Sequence, residues 1–270
     1  EFRRVLFRSG SERGFNDGEP GDYGSRNVSW ESADQGGNSM RYAFVLFALL
    51  LSPILHAGDN LSIDFTVTAE AAACTPTLSH NGIVDFGERH VGSLSTSAFT
   101  QLGVRDITLT ITCESSTGIA ITARDARSSS AITGKDTHGH EGVLFQVNGG
   151  GYISDKLRLF GLGMTMENKP IGSYAMQIDS ANTIAVDDKK VAVDIAGSAS
   201  KEGPWEVSSL LPLPTGQDYF YTFVKKGSSV PQPITAATVP LQISASVGSN
   251  LRSGQKVTLD GEAVISIVYL

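Results

Sequence analysis

Charge, sulfur and helical pattern are all scarce in this chain of 270 residues. Two cysteines cannot form a multi-bridge scaffold, nor can they close a tetrahedral zinc shell by themselves. The balance of charge is −7 at pH 7 and no block of like charge stands out. That excludes the basic footprint of a nucleic-acid binder and a polybasic patch for an anionic membrane face. No long stretch repeats apolar residues at i, i+3, i+4 and i+7, so a helical bundle is excluded as well. No serine sits in a G-x-S-x-G elbow. The glycines at 149–151 and 161–163 lack the following helix that a phosphate loop or a dinucleotide fingerprint needs. The longest apolar run, from Tyr42 to Leu55, is interrupted by Pro53 and falls short of the roughly 20 residues a bilayer requires.

What remains divides into three parts. Residues 1–39 are crowded with Gly, Ser, Asp and Arg and lack periodicity, and they are read as a non-native or disordered leader. Residues 40–57 have the anatomy of a secretory signal peptide. Met40 and Arg41 form a short positive start, an apolar run follows, and the small residue Ala57 precedes the expected cut. Residues 58–270 form the folded domain, with no membrane anchor after cleavage. Residues 1–57 hold 6 of the 21 basic and 7 of the 28 acidic residues, which leaves the domain at 15 against 21, or −6. In an exported chain the simplest fate of Cys74 and Cys113 is a disulfide, with free thiols as the alternative.

Period-two alternation dominates this domain. Leu61, Ile63, Phe65, Val67 and Ala69 alternate with polar residues, and so do Ile107, Leu109 and Ile111. Ile119, Ile121 and Ala123 follow a turn expected at Ser115–Gly118. Leu241, Ile243, Ala245 and Val247 alternate next, and the chain ends on Ala263, Ile265, Ile267 and Tyr269. Each such segment reads as a strand with one face in the core and one in solvent. Turn residues recur at Asn81-Gly82, at Asn148–Gly151 and at Asp260-Gly261. The fold class is therefore all-β, an immunoglobulin-like antiparallel sandwich, with extra hairpins or long loops expected between Arg127 and Gly203.

The two ends of this domain carry a recognisable pattern. An alternating strand runs into Ala71-Ala-Ala-Cys74-Thr-Pro, then Val84-Asp-Phe-Gly87, and the second cysteine follows in Leu109-Thr-Ile-Thr-Cys113. The other end reads Val239-Pro-Leu-Gln-Ile243 and then Ala263-Val-Ile-Ser-Ile-Val-Tyr269-Leu270. This resembles the chaperone–usher pilins, and more narrowly the larger fimbrial-like secreted proteins of Gram-negative bacteria. The resemblance implies a sandwich lacking its last strand, completed by a strand from another protein. Ile265, Ile267, Tyr269 and Leu270 would then form the groove strand that meets the chaperone, and Leu61, Ile63 and Phe65 the donor strand. Its implied partners are a periplasmic pilus chaperone, an outer-membrane usher and neighbouring fimbrial subunits. The implied location is the periplasm in transit and then a fimbrium or the cell surface. The segment 58–64 would reach only ~23 Å at about 3.3 Å per residue, which suits a tip-proximal or non-polymerising subunit better than a shaft subunit.

The residues themselves offer no catalytic constellation, and the chain is expected to be neither an enzyme nor a cofactor protein. His138 and His140, with Asp136 and Glu141, are the one concentration of metal-type ligands, but the glycines around them suit a polar loop. Asp125 beside Arg124 and Arg127 is expected in ordinary surface ion pairs. Trp205, Tyr219, Phe220, Tyr221 and Phe223 are the richest aromatic cluster, expected to pack both faces of one strand. If exposed, they would suit a host or surface carbohydrate. The second functional reading is accordingly a self-complete sandwich acting as an adhesin or lectin-like module.

Overall fold

In the computed structural model the described residues are 3–7, 60–63, 65–67, 74–88, 91–249, 251 and 257–270. The signal-peptide reading of residues 40–57 lies outside them. Chain order gives strands β1 (Arg3–Phe7), β2 (Asn60–Ile63), β3 (Phe65–Val67), β4 (Cys74–Leu78), β5 (Val84–Glu88) and β6 (Thr100–Thr117). There follow β7 (Ile119–Asp125), β8 (Val143–Phe145), β9 (Gly151–Ile153), β10 (Phe160–Gly161), β11 (Gly172–Ile178) and β12 (Ile184–Asp187). The last six are β13 (Lys189–Val191), β14 (Val193–Ser198), β15 (Glu206–Val207), β16 (Phe220–Lys225), β17 (Ile234–Val247) and β18 (Ala263–Tyr269).

Two seven-stranded antiparallel sheets carry the fold, as the alternation requires. One has the order β15-β14-β16-β7-β18-β1-β3. The other is built on β17, which pairs along one edge with β6, itself paired to β4. The opposite edge of β17 is shared. β12 pairs with its first half and β11 with its second. Pro240 stands between those two partners, where its missing N–H interrupts neither ladder. Its carbonyl still accepts from the Asp179 N–H at 2.9 Å. Side chains of both sheets merge in one core, among them Leu109, Ile111, Tyr174 and Ile243 from one and Ile121, Phe223, Ile265 and Ile267 from the other. The fold is an all-β antiparallel sandwich.

Three local expectations change. The run Leu61–Ala69 does not serve as one strand: β2 pairs with β5, whereas β3 joins the first sheet. The turn expected at Ser115–Gly118 is a crossover, because β6 stays paired with β17 as far as Thr117 and only Gly118 separates it from β7 in the opposite sheet. The long strands are also more buried than half-buried. Every residue of β11 is buried, and so are all of β18 but Tyr269.

The cover comes from the chain between β7 and β16, which does hold the expected hairpin and loops. The β8–β9 hairpin makes a second small core of Val143, Phe145, Ile153 and Leu159 against Ala175 of β11.

 Those side chains, Leu159 among them, are all buried. The hairpin is tied down by the Gln242 side-chain oxygen, which accepts from the Gln146 N–H at 2.6 Å. On the other sheet Trp205 lies with Ala120, Ala196 and Val224, and Phe220 packs against them. Gly161 is needed for one of these close approaches, since a Cβ there would lie 2.1 Å from the Ser130 hydroxyl and 2.2 Å from the Arg127 carbonyl.

Candidate functional site at the edge of the C-terminal strand

Strand β18 is the natural place to look for function, because its two edges have neighbours of different origin. One edge pairs with β7 in continuous register from Ala263 opposite Asp125 to Tyr269 opposite Ile119. Beyond the strand the Leu270 N–H donates to the Gly118 carbonyl at 3.1 Å. The Tyr269 hydroxyl accepts from the Cys74 N–H at 3.0 Å, which ties the strand end to the disulfide. Cys74 and Cys113 do form that bridge, directly across β4 and β6.

The other edge of β18 pairs with β1, Arg3 opposite Ile267 through Leu6 opposite Val264. Beyond β1 lies β3, with Phe65 opposite Phe7. The strand that completes the ladder therefore comes from the stretch read as a leader, and the rest of residues 1–39 lies outside the described residues. Of the residues read as donors, Leu61 stands opposite Gly87 and Ile63 opposite Val84 in the β2–β5 pair, and Phe65 stands one strand away from β18. Of the groove residues, Ile265 and Ile267 are fully buried, Tyr269 is half-buried and Leu270 is 43% exposed. Gln217 covers the strand from outside: its backbone N–H donates to the Ala123 carbonyl and its side-chain amide to the Ser266 hydroxyl at 3.0 Å. Such an edge offers a ladder of backbone groups over an apolar interior, which is the chemistry of strand addition.

At the far end of the same ladder, Asp125 corrects the expectation of surface ion pairs. It is only 5% exposed, and Arg127 instead pairs with Asp260 at 3.3 Å and Glu262 at 3.1 Å. The Asp125 carboxylate accepts N–H groups from Arg127 and Gly161, each at 2.8 Å. Burial pushes its pKa up to about 6 in spite of those hydrogen bonds and the nearby guanidinium groups. No sequence signal marked it, because the cover includes strand β10, whose Gly161 is 36 residues away.

The histidine-bearing loop is held by Asp136, which accepts the N–H groups of His138 at 2.8 Å and His140 at 3.0 Å. Burial would raise the Asp136 pKa, but those N–H groups and the Tyr152 hydroxyl outweigh it and bring it below the usual value. His140 stacks on Tyr152 with ring centroids 4.6 Å apart. Among the described residues no group of three or more His, Cys, Asp or Glu side chains is placed to hold a metal ion. In the aromatic cluster, Tyr221 and Phe223 face the main core and Phe220 the small core of Trp205, so the strand packs both faces as expected. Tyr219 remains half-buried.

Fold and bridge together define a disulfide-linked, all-β antiparallel sandwich. Residues 63–175 match the family described as "Protein of unknown function (DUF1120)". The chain is 53% identical over 219 residues to "Uncharacterized protein YhcF" of Escherichia coli (strain K12), an alignment that covers 79% of this chain and 92% of that protein. It is 32% identical over 236 residues to "Protein GltF" of the same organism, covering 79% of this chain and 91% of GltF. The chain belongs to this family. Neither the family description nor either relative's name refers to fimbriae or an usher. No solved structure matches the chain.

Proposed function

We propose that this protein is an exported, fimbrial-like structural subunit whose sandwich is completed by a strand added along β18. The observation that carries the reading is the origin of that neighbour. Between Cys74 and Leu270 the described part of the fold gives β18 one partner, β7, and its second edge is filled from Arg3–Phe7. A strand buried along almost its whole length would, with an unfilled edge, expose core residues and unmade hydrogen bonds, so something must cover it. In the proposed role that cover is a periplasmic chaperone first and then a segment of a neighbouring subunit, with an outer-membrane usher directing the exchange. The disulfide supports passage through an oxidising compartment.

The test uses the chain 58–270, produced in the periplasm. Recovery with a stoichiometric chaperone partner, lost when residues 265–270 are deleted, is the expected result. Because that deletion can also unfold the protein, the intact chain is offered a peptide of residues 1–10 as a replacement strand. The peptide should raise its melting temperature. A stable monomer that recruits no partner and ignores the peptide would overturn the proposal.

A further inference from the structure

A second site lies on a different part of the molecule, where β9, the turn after it and the segment leading into β16 meet. Strand β9 ends at Ile153, and Asp155 caps the single turn Lys156–Arg158 by accepting the Leu157 N–H at 2.9 Å. The Leu157 carbonyl accepts the Thr215 N–H at 3.0 Å, which binds this turn to the 210–219 segment. Between them is a cleft of about 370 Å³, a volume typical of small-ligand sites.

Its walls are aromatic and its one cation is unusual. Tyr152, Tyr219 and Tyr221 line the cleft together with Arg158. Two of the tyrosine hydroxyls are already engaged: Tyr152 donates to Asp136 at 3.1 Å and Tyr221 to the Pro212 carbonyl at 3.0 Å. What they offer a ligand is ring surface. The Arg158 guanidinium sits over the Tyr219 ring, 4.6 Å from its centroid, a cation–π contact that helps hold it in place. One terminal nitrogen of that guanidinium, Nη1, is buried and has no hydrogen-bond partner among the described residues. None of the ion pairs among the described residues engages Arg158.

We infer that this cleft binds a carboxylate-bearing sugar, whose ring lies on the tyrosines and whose carboxylate meets Arg158. Nη1 itself has no exposed surface, so the carboxylate meets the part of Arg158 that lines the cleft, where a planar acceptor suits a guanidinium that no ion pair among the described residues engages. Tyrosine faces carry the negative side of the ring quadrupole and attract the weakly positive C–H face of a pyranose. Ser154 and the acidic Asp155 also line the cleft. They supply acceptors for sugar hydroxyls, which an aryl carboxylate would leave unmet. This inference stands apart from strand addition at β18, and its failure would leave that reading untouched.

The experiment titrates the disulfide-intact full chain with glucuronic acid, glucose and benzoate, read by ligand-observed NMR. Glucuronic acid should bind at least tenfold more tightly than either of the others, a factor that corresponds to about 1.4 kcal/mol. Arg158→Gln should weaken it by tenfold or more. Leu210, which is 53% exposed at the cleft, gives a second variant that leaves the guanidinium alone: Leu210→Trp should block binding with an unchanged melting temperature. Equal binding of glucose or benzoate, binding that survives both substitutions, or no binding of glucuronic acid would each overturn the inference. A polymer of the same sugar acid distinguishes sources: equal affinity per residue identifies the single sugar as the ligand, whereas a gain confined to the polymer identifies a glycan chain.

Discussion

The buried carboxylate of Asp125 should make this protein lose stability as pH rises through the weakly acidic range. Its pKa is about 6 in the fold against an ordinary value of 3.8. The native state therefore holds the proton more tightly than the unfolded chain does. The protonated form stabilises fully below about pH 4, and that contribution disappears as pH passes through about 6. A difference of about two pKa units corresponds to about 3 kcal/mol, of which about 2.5 kcal/mol falls between pH 4 and pH 7.5. Urea unfolding of the wild type and of Asp125→Asn at both pH values isolates the effect, because all other titrating groups are shared. The variant carries a constant offset, since its amide cannot accept from both the Arg127 and Gly161 N–H groups. The wild type should nevertheless lose about 2.5 kcal/mol relative to the variant between pH 4 and pH 7.5. A pH-independent difference, or an Asp125 carboxyl carbon that titrates near pH 4 by NMR, would refute the reasoning.

Two further outcomes are expected. Cys113→Ser should lower the unfolding free energy by about 4 kcal/mol in the chain-entropy model, given a separation of 39 residues, and thermal unfolding at neutral pH checks it. Tyr174→Phe should stabilise the protein by about 1 kcal/mol, because the Tyr174 hydroxyl is wholly buried without a hydrogen-bond partner among the described residues. A lower urea midpoint for that variant would mean the hydroxyl has a partner in solution.

Individual strands were legible where one face is apolar and the other is not. Ile107, Leu109 and Ile111 are buried as their spacing requires, while Thr108 and Thr110 are half-buried and Thr112 is exposed. The charged residues Asp187–Lys190 form a hairpin turn with Asp188 in the left-handed region. The cysteine pairing was legible because only one pairing is available in a chain with two. Alternation could not reveal that Val264, Ser266 and Val268 are covered as thoroughly as Ile265 and Ile267. A polar or small residue on the outward face reads as exposed until a remote segment, here Gln217, folds over it.

The sequence by itself determined the all-β class, most of the strands and the disulfide, since each follows from local periodicity, turn chemistry or a count. Only the tertiary structure decided which strands are neighbours, that β1 rather than β2 lies along β18, and that Asp125 is buried. It alone brought Arg158 to the three tyrosines of the cleft. The reason is physical: side-chain alternation fixes which way a residue points relative to its own strand, but a ladder partner or a buried charge is fixed by segments tens to hundreds of residues away. Their contribution enters the free energy only once the chain has closed around them.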